Sequence, residues 1–453
     1  MANSKKLGGK LIFNLLMYGL MGQMAWAVEN QFFNTFLFNE IGGNSADISH
    51  MVAASSVVAV VTTLIMGTLS DKLGKRKLFL CGGYIFWGII VMAFAFISRE
   101  NIASIFGLTD ETRIRLFAVN TVIIMDCIMT FMGSTCNDAA FNAWVTDITC
   151  DENRASTESI LSIVGIVAMV AVTVAFPLAA EAIGYSVSFI GLGAIVTAAG
   201  IIGIFTVKDS GDGIKKDSSF IKDITYGFRP SVVKEHRSLY LALVAIGIYS
   251  ISTNVFFPYI FIYLQHYLGF SFDTLFASLT LPIIIAAAVA VIGVCAAVIF
   301  LGKLIDKYGK SFFVFPTIIF YVVGLCLAFF TRRLVTFALA AIPVLAGYGL
   351  LMIILGAAVR DFTPEDKVGQ FQGIRMIFFV LLPMVIGPAI GNAVINNFPD
   401  GTYTNDYQEI VNIPVPGLFL AAGAVAVFIL FPAIALRKTW KAKEKALKES
   451  NKE

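Results

Sequence analysis

Carboxylates, amides and indoles recur at helical spacing inside stretches of this chain that are otherwise strongly apolar. One stretch carries Gln23, Trp26, Glu29, Asn30 and Asn34; another carries Asp126, Thr130, Asn137, Asp138, Asn142 and Trp144. At about 100° per residue, the first set falls within roughly 140° of arc, so one helix would have a single polar-aromatic face. Amides and carboxylates bind hydroxyl groups, and an indole face packs on C–H surfaces, so the mixture suits a sugar. The competing use is inter-helix hydrogen bonding that only holds a bundle together. In the second stretch Asp126, Thr130, Asn137 and Trp144 share one face. Asp138 falls about 120° from Asp126 in α-helical register, so the two acids need not share an environment. A third stretch offers Tyr249, Ser252, Thr253, Asn254 and Pro258. There Asn254 is the candidate ligand, and Pro258 can free backbone carbonyls.

The segments carrying these groups are long and apolar. The chain has 453 residues, of which 58% are hydrophobic and 14% charged, far from the composition of a soluble globular domain. Twelve segments of about the 20 residues that cross a bilayer run near 11–37, 49–70, 78–98, 116–145, 158–180, 186–207, 239–266, 272–301, 312–331, 334–358, 370–396 and 415–436. They lack the polar faces that a soluble bundle needs. The expected class is an all-α polytopic membrane protein of twelve transmembrane helices in two six-helix halves. The expected organisation is a bundle over 1–207, a polar linker over 208–237, a second bundle over 238–436 and a basic tail over 437–453. The start shows no cleavable signal pattern.

Lys and Arg placement sets the orientation. With an inner N-terminus, the inner loops and tails hold 27 basic residues and the outer loops five (Arg99, Arg113, Arg115, Arg332, Arg333), with Arg375 inside a segment. Both termini are therefore expected in the cytoplasm of a cell-membrane protein. The six cysteines sit in or beside apolar segments without a CxxC pair and read as packing residues. The three histidines have no metal-site spacing, so no metal and no cofactor is expected. No nucleophile–base pair or phosphate loop is visible, which excludes an enzyme reading, and nothing points to nucleic acid.

Two loop signatures occur twice, in the same order. Gly67-Thr-Leu-Ser-Asp71-Lys-Leu-Gly74-Lys-Arg76 returns as Gly302-Lys-Leu-Ile-Asp306-Lys-Tyr-Gly309-Lys310, 235 residues later. Asp147-Ile-Thr-Cys-Asp-Glu-Asn-Arg154 is matched by Asp361-Phe-Thr-Pro-Glu-Asp-Lys367, 214 residues later. A recurring order between apolar runs marks a duplicated membrane domain. The glycines permit a tight turn and close helix approach, while Asp71 can pair with a base or cap a helix N-terminus. Such a pair would latch two helices in one state and release them in another. A plain positive-inside turn is the alternative, and the second copy favours gating.

Through the doubled Gly-x-x-x-Asp-x-x-Gly loop the chain resembles the major facilitator superfamily. More narrowly, Ala143-Trp-Val-Thr-Asp147-Ile-Thr-Cys-Asp151-Glu-Asn-Arg154 resembles the loop after the fourth helix of glycoside–pentoside–hexuronide:cation symporters. Gly22-Gln23-Met-Ala-Trp26-Ala27 and Val380-Leu-Leu-Pro383 with Gly387-Pro388 resemble the sucrose:proton branch. The resemblance implies that Gln23 replaces the sugar-binding carboxylate of melibiose permease-like members and that their fourth-helix sugar-binding Asp is Asp138. Ala59 and Thr63 stand where their sodium-binding carboxylates would be, which favours protons over sodium. Val385 replaces their lysine, and Asn142 replaces the branch's fourth-helix arginine.

The resulting expectation is an alternating-access importer of a sugar or glycoside, a disaccharide in particular, driven by protons. Gln23, Trp26, Asn30, Asn137, Asp138 and Asn254 would hold the substrate. Glu29 or Asp126 would take the coupling proton. Gly67, Asp71, Gly74, Arg76, Asp147, Arg154, Gly302, Asp306 and Asp361 would form the gates. The expected partners are the sugar, the cation and the lipid bilayer, with the chain working as a monomer. The rival reading is a drug or metabolite exporter of the same superfamily, whose cavity would carry fewer amides than Gln23, Asn30, Asn34 and Asn137 supply.

Overall fold

A computed structural model describes residues 8–149, 151–208, 226–271, 305, 309–364 and 368–450. Segment 8 and the loop residues Gly302 and Asp306 lie outside the described residues, as do the side chains of Asp71 and Arg154.

Among the described residues ten helices are long and apolar enough to cross a membrane. Segments 1 to 4 are Gly9–Asn39, Ser45–Ser70, Leu78–Phe96 and Glu111–Ile148. Segments 5 and 6 lie in one helical stretch, Ile163–Thr206, broken at Gly184, whose φ of 84° closes to most side chains. Segments 7 and 9 to 12 are Arg237–Tyr267, Lys310–Phe329, Leu334–Phe362, Gly373–Asn397 and Gly417–Lys441. The protein is thus all-α and polytopic.

The burial pattern is that of a bundle in lipid. Large apolar side chains such as Phe86, Ile124, Phe312 and Leu345 are exposed, whereas Trp87, Trp144, Tyr84 and Tyr321 are buried. In lipid, apolar residues lose nothing by facing outward, so the aromatic residues with polar tips go inside. Helix ends follow local chemistry. Asn44 and Asp47 form a reciprocal capping box at the start of segment 2, and Gly74 ends that helix in a left-handed conformation (φ 62°).

The chain divides into two compact units. In the first, segments 1 and 3 pack against the stretch holding segments 5 and 6, and segment 2 packs against segment 4. Segments 3 and 6 meet backbone to backbone at Gly88 and Gly193, where a side chain on either would strike the other's carbonyl. In the second, segment 7 packs against 11 and 12, and segment 9 against 10 and 12.

Between segments 11 and 12 a short hairpin pairs β1 (Thr402–Thr404) with β2 (Ile410–Asn412). Its tip, residues 404–409, belongs to the first unit, although the flanking chain belongs to the second. The tip is held by Arg99, which is 3% exposed. Arg99 donates to both Glu409 carboxylate oxygens at 3.2 and 2.7 Å and to the Ile41 carbonyl at 2.8 Å. Its guanidinium also lies 3.6 Å from the Tyr407 ring centroid.

Among the described residues five membrane helices contain a wider, π-helical turn: Glu29–Phe33, Leu78–Gly82, Ser134–Phe141, Tyr263–Tyr267 and Ile377–Leu381. Such turns insert a residue into an α-helix and concentrate at functional sites.

Candidate functional site

The first unit gathers three carboxylates from two helices. Segment 1 is α-helical through Val28 and widens at Glu29–Phe33, so Glu29 opens a π turn. Segment 4 is α-helical through Gly133 and widens across Ser134–Phe141, the turn that holds Asn137 and Asp138. Glu29 Oε1 accepts a hydrogen bond from Thr130 Oγ1 at 2.9 Å, tying the two helices together. Its Oε2 is buried with no hydrogen-bond partner among the described residues, and so is Oδ1 of Asp126, one helical turn before Thr130. Ser55 of segment 2 lies beside Asp126, and Asp126 and Asp138 are both within electrostatic reach of Glu29.

Asp138 is bound on both oxygens by its own helix. Ser134 Oγ donates to Oδ2 at 3.1 Å and Asn137 Nδ2 to Oδ1 at 3.3 Å. Trp26 lies next to it with a buried indole N–H that has no well-aligned acceptor. The Trp26 ring packs against Trp87, with centroids 5.2 Å apart, over Gly133. A Cβ on Gly133 would stand 3.0 Å from Trp26 and 2.9 Å from Trp87, so the indole pair needs glycine there.

Among the described residues none of the three acids has a basic partner. Nor do they converge as a metal-binding group of three. An acidic cluster with unpartnered buried oxygens is costly while every member is charged, and a proton or small cation relieves that cost. Chemically, such a cluster can take up and release a proton or a small cation.

The other expected ligands are distributed unevenly. Gln23 and Asn30 are exposed on the same face of segment 1, seven residues apart. Asn30 Nδ2 is bound to the Trp26 carbonyl at 2.8 Å, leaving its Oδ1 as the outward-facing group. Asn254 belongs to the second unit. It donates to the Ser250 carbonyl at 2.9 Å and stands against Gly387 of segment 11. Asn142 is exposed and bonds the Asp138 carbonyl. Trp144 is buried and stacks on Phe141, which makes it a packing residue.

Sequence reasoning passed over Tyr84 and Trp87 of segment 3 and Ser55 of segment 2. The available signal was the polar-tipped pair Tyr84 and Trp87, three residues apart in an apolar run.

The repeated loops carry matching ion pairs. In the first unit Arg76 Nε donates to Asp147 Oδ2 at 3.0 Å and Arg76 Nη1 to Ser70 Oγ at 2.6 Å. In the second unit Lys310 pairs with Asp361. Each pair therefore joins a base from the first loop signature to the acid that opens the second. Gly67 has nothing but the Ala139 Cβ near it, at 3.9 Å from a built Cβ. Arg375 lies over the Phe379 ring at 5.0 Å.

An all-helical polytopic protein with duplicated loops and an acidic cluster at membrane depth is a membrane transporter. The Major Facilitator Superfamily model matches residues 13–294 and 283–453, and the chain belongs to that superfamily. A curated relative, multidrug resistance protein 2 of Bacillus subtilis (strain 168), is 22% identical over 423 residues, covering 88% of each protein. Among solved structures, a mutant of the nucleoside transporter NupG superposes with a TM-score of 0.68 at 12% identity, covering 94% of this chain and 99% of that one. A bacterial homolog to the human lysosomal transporter Spinster, inward-facing and unoccupied, gives 0.64 at 14% identity, covering 96% and 99%. At these identities the structural likeness shows the fold.

Proposed function

We propose that the protein imports a sugar or glycoside, a disaccharide in particular, by proton symport through alternating access. The observation that carries this reading is the juxtaposition of an unpaired acidic pair, Glu29 and Asp126, with an amide–indole–carboxylate face. Gln23, Trp26, Asn30 and Asp138 form that face in the first unit, with the buried Asn137, also expected as a ligand, behind Asp138; Asn254 is the candidate ligand of the second unit. Trp26 offers a flat apolar surface for sugar C–H groups, and Asp138 offers lone pairs for hydroxyls. Glu29 or Asp126 takes the coupling proton, since coupling requires that substrate affinity differ between the protonation states. Segment 2 places no carboxylate near Ser55, Ala59 and Thr63, which favours protons over sodium.

The pairs Arg76–Asp147 and Lys310–Asp361 are assigned to gating together with Gly67, Asp71, Gly74, Arg154, Gly302 and Asp306. The protein works as a monomer in the cell membrane with both termini in the cytoplasm, as the Lys and Arg bias requires. NupG is a nucleoside transporter, and a nucleoside also presents ribose hydroxyls, which is compatible with a polyol-binding face.

The second reading is a proton-coupled exporter of drugs or metabolites, favoured by the name of the curated relative. The deciding experiment measures proton entry into sodium-free proteoliposomes while a panel of disaccharides and monosaccharides is added. Proton entry triggered by one sugar supports symport and identifies the substrate. A response that appears only with sodium overturns the proton assignment. Silence in both conditions moves the exporter reading to the front.

A further inference from the structure

We infer that Tyr84 is a positioning residue for Asp138, acting through the side-chain amide of Asn137. The inference rests on the reading of Asp138 as a substrate ligand.

Tyr84 is fully buried in segment 3. Its ring is fixed edge-on against Tyr18, with centroids 4.7 Å apart, and against Trp87 at 5.6 Å. This packing leaves the hydroxyl one place to be. It lies 2.8 Å from the Tyr18 carbonyl and 3.0 Å from Asn137 Oδ1, its one proton shared between the two acceptors.

A carboxamide has two ends of nearly equal size and opposite polarity, and either can face a neighbour. With the Tyr84 hydroxyl donating to Oδ1, the amide is held with its oxygen toward segment 3 and Nδ2 toward Asp138 Oδ1. Turned over, Asn137 would present an oxygen lone pair to a carboxylate. The tyrosine at one end of the amide and the carboxylate at the other therefore hold it in the same sense, with a donor toward Asp138.

Segment 1 closes the arrangement from above. At Gly22 a Cβ would collide with Asn137 Oδ1 and stand 2.5 Å from the Tyr84 hydroxyl oxygen, so only glycine lets segment 1 cover the pair. Asn137 is 5% exposed and Asp138 half-buried, so the orienting groups are shut away while the carboxylate keeps an open side. Ser134 occupies Oδ2 in the same manner. Donors on both oxygens fix the carboxylate plane, which is the requirement for directional hydrogen bonds to a sugar.

A tyrosine that only fills space would give the same burial, so the test must read the Asn137 link itself. N,N′-dicyclohexylcarbodiimide couples to buried carboxyl groups in their protonated form, and peptide mass spectrometry reports labelling at Asp138 in the purified full chain without any sugar. Tyr84→Phe keeps the ring and its packing but removes the donor that sets the amide. Without it the amide is held from one end only, the charged carboxylate keeps its Asn137 partner for less of the time, and labelling of Asp138 rises about fivefold, which is about 1 kcal/mol, the scale of one ordinary hydrogen bond. Asn137→Ala gives the same rise by a different route, and the double variant gives no more than either single one. Unchanged labelling in Tyr84→Phe, or increases that add in the double variant, overturns the inference.

Sucrose titration of the same proteins supplies a second readout, with dissociation constants in both single variants raised about tenfold. Equal affinity in wild type and Tyr84→Phe again overturns the inference. If the wild type binds neither sucrose nor any other sugar of the panel, the proposed function falls, and the labelling cycle still decides the role of Tyr84.

Discussion

Replacing Glu409 by Gln preserves the shape of the hairpin tip and removes the charge that Arg99 was buried to meet. Removing one partner of a buried ion pair costs about 3–5 kcal/mol, because the remaining charge is stranded. Two features reduce that figure here. The Glu409 side chain is 31% exposed, so solvent already screens part of the pair. Arg99 also keeps the Ile41 carbonyl and the Tyr407 ring. A net cost of about 2 kcal/mol follows for the tip, or roughly a thirtyfold rise in its opening equilibrium.

Amide hydrogen exchange reads this locally. Asn405 N–H donates to the Glu409 carbonyl, while Tyr407 and Glu409 N–H donate to Asn405 Oδ1, and these amides should exchange about thirtyfold faster in Glu409→Gln. The effect depends on pH with a defined sign. Burial pushes the Glu409 carboxyl up, but hydrogen bonds from Arg99 and Asn405 and the charges of Arg99 and Arg115 outweigh it and hold it below the ordinary range. Its contribution is therefore complete above the unfolded value of about 4.3 and disappears as pH falls through the lower native value. The exchange ratio between wild type and variant should shrink toward one on acidification below about pH 4. Equal rates at neutral pH, or a ratio insensitive to acid, would refute the claim that this ion pair holds the tip.

Three further outcomes are expected. Asp126→Asn should retain sugar binding and exchange but lose pH-driven accumulation; full accumulation in a proton-gradient uptake assay sinks the coupling role. Gly203→Ala places a methyl on the Tyr18 hydroxyl, whereas Gly349→Ala enters open space; the first should lower the thermal midpoint at a cost of about 1–3 kcal/mol and the second leave it within about 0.5 kcal/mol. Arg76→Ala breaks a pair that is partly exposed and worth at most about 1 kcal/mol. Its thermal midpoint should therefore barely move, while its transport rate falls if the pair gates, and an unchanged rate removes it from the gate.

The apolar segments found among the described residues, the doubled loops and the polar face of segment 1 were legible because each follows from composition or spacing within a short window. Gln23 and Asn30 do share a face, as the period of 3.6 requires. The relation of Asp138 to the other acids was not legible in the same way. Helical periodicity places it about 120° from Asp126, yet the wide turn over Ser134–Phe141 changes that register, and Glu29 feels both acids. A π turn has no simple residue code, because it depends on what packs around it. The Arg99–Glu409 pair was hidden for another reason. Its members stand 310 residues apart, and two charged loop residues carry no mark of their partner.

The π turns of segments 1 and 7 begin at Glu29 and Tyr263, 234 residues apart, one fewer than the spacing of the first loop signature. A π turn is an α turn with one residue added. Deleting one residue from 29–33 would therefore restore a plain α turn and leave the helix beyond it in its present register. Asn34, buried where Gln23 and Asn30 are exposed, would stay off their face.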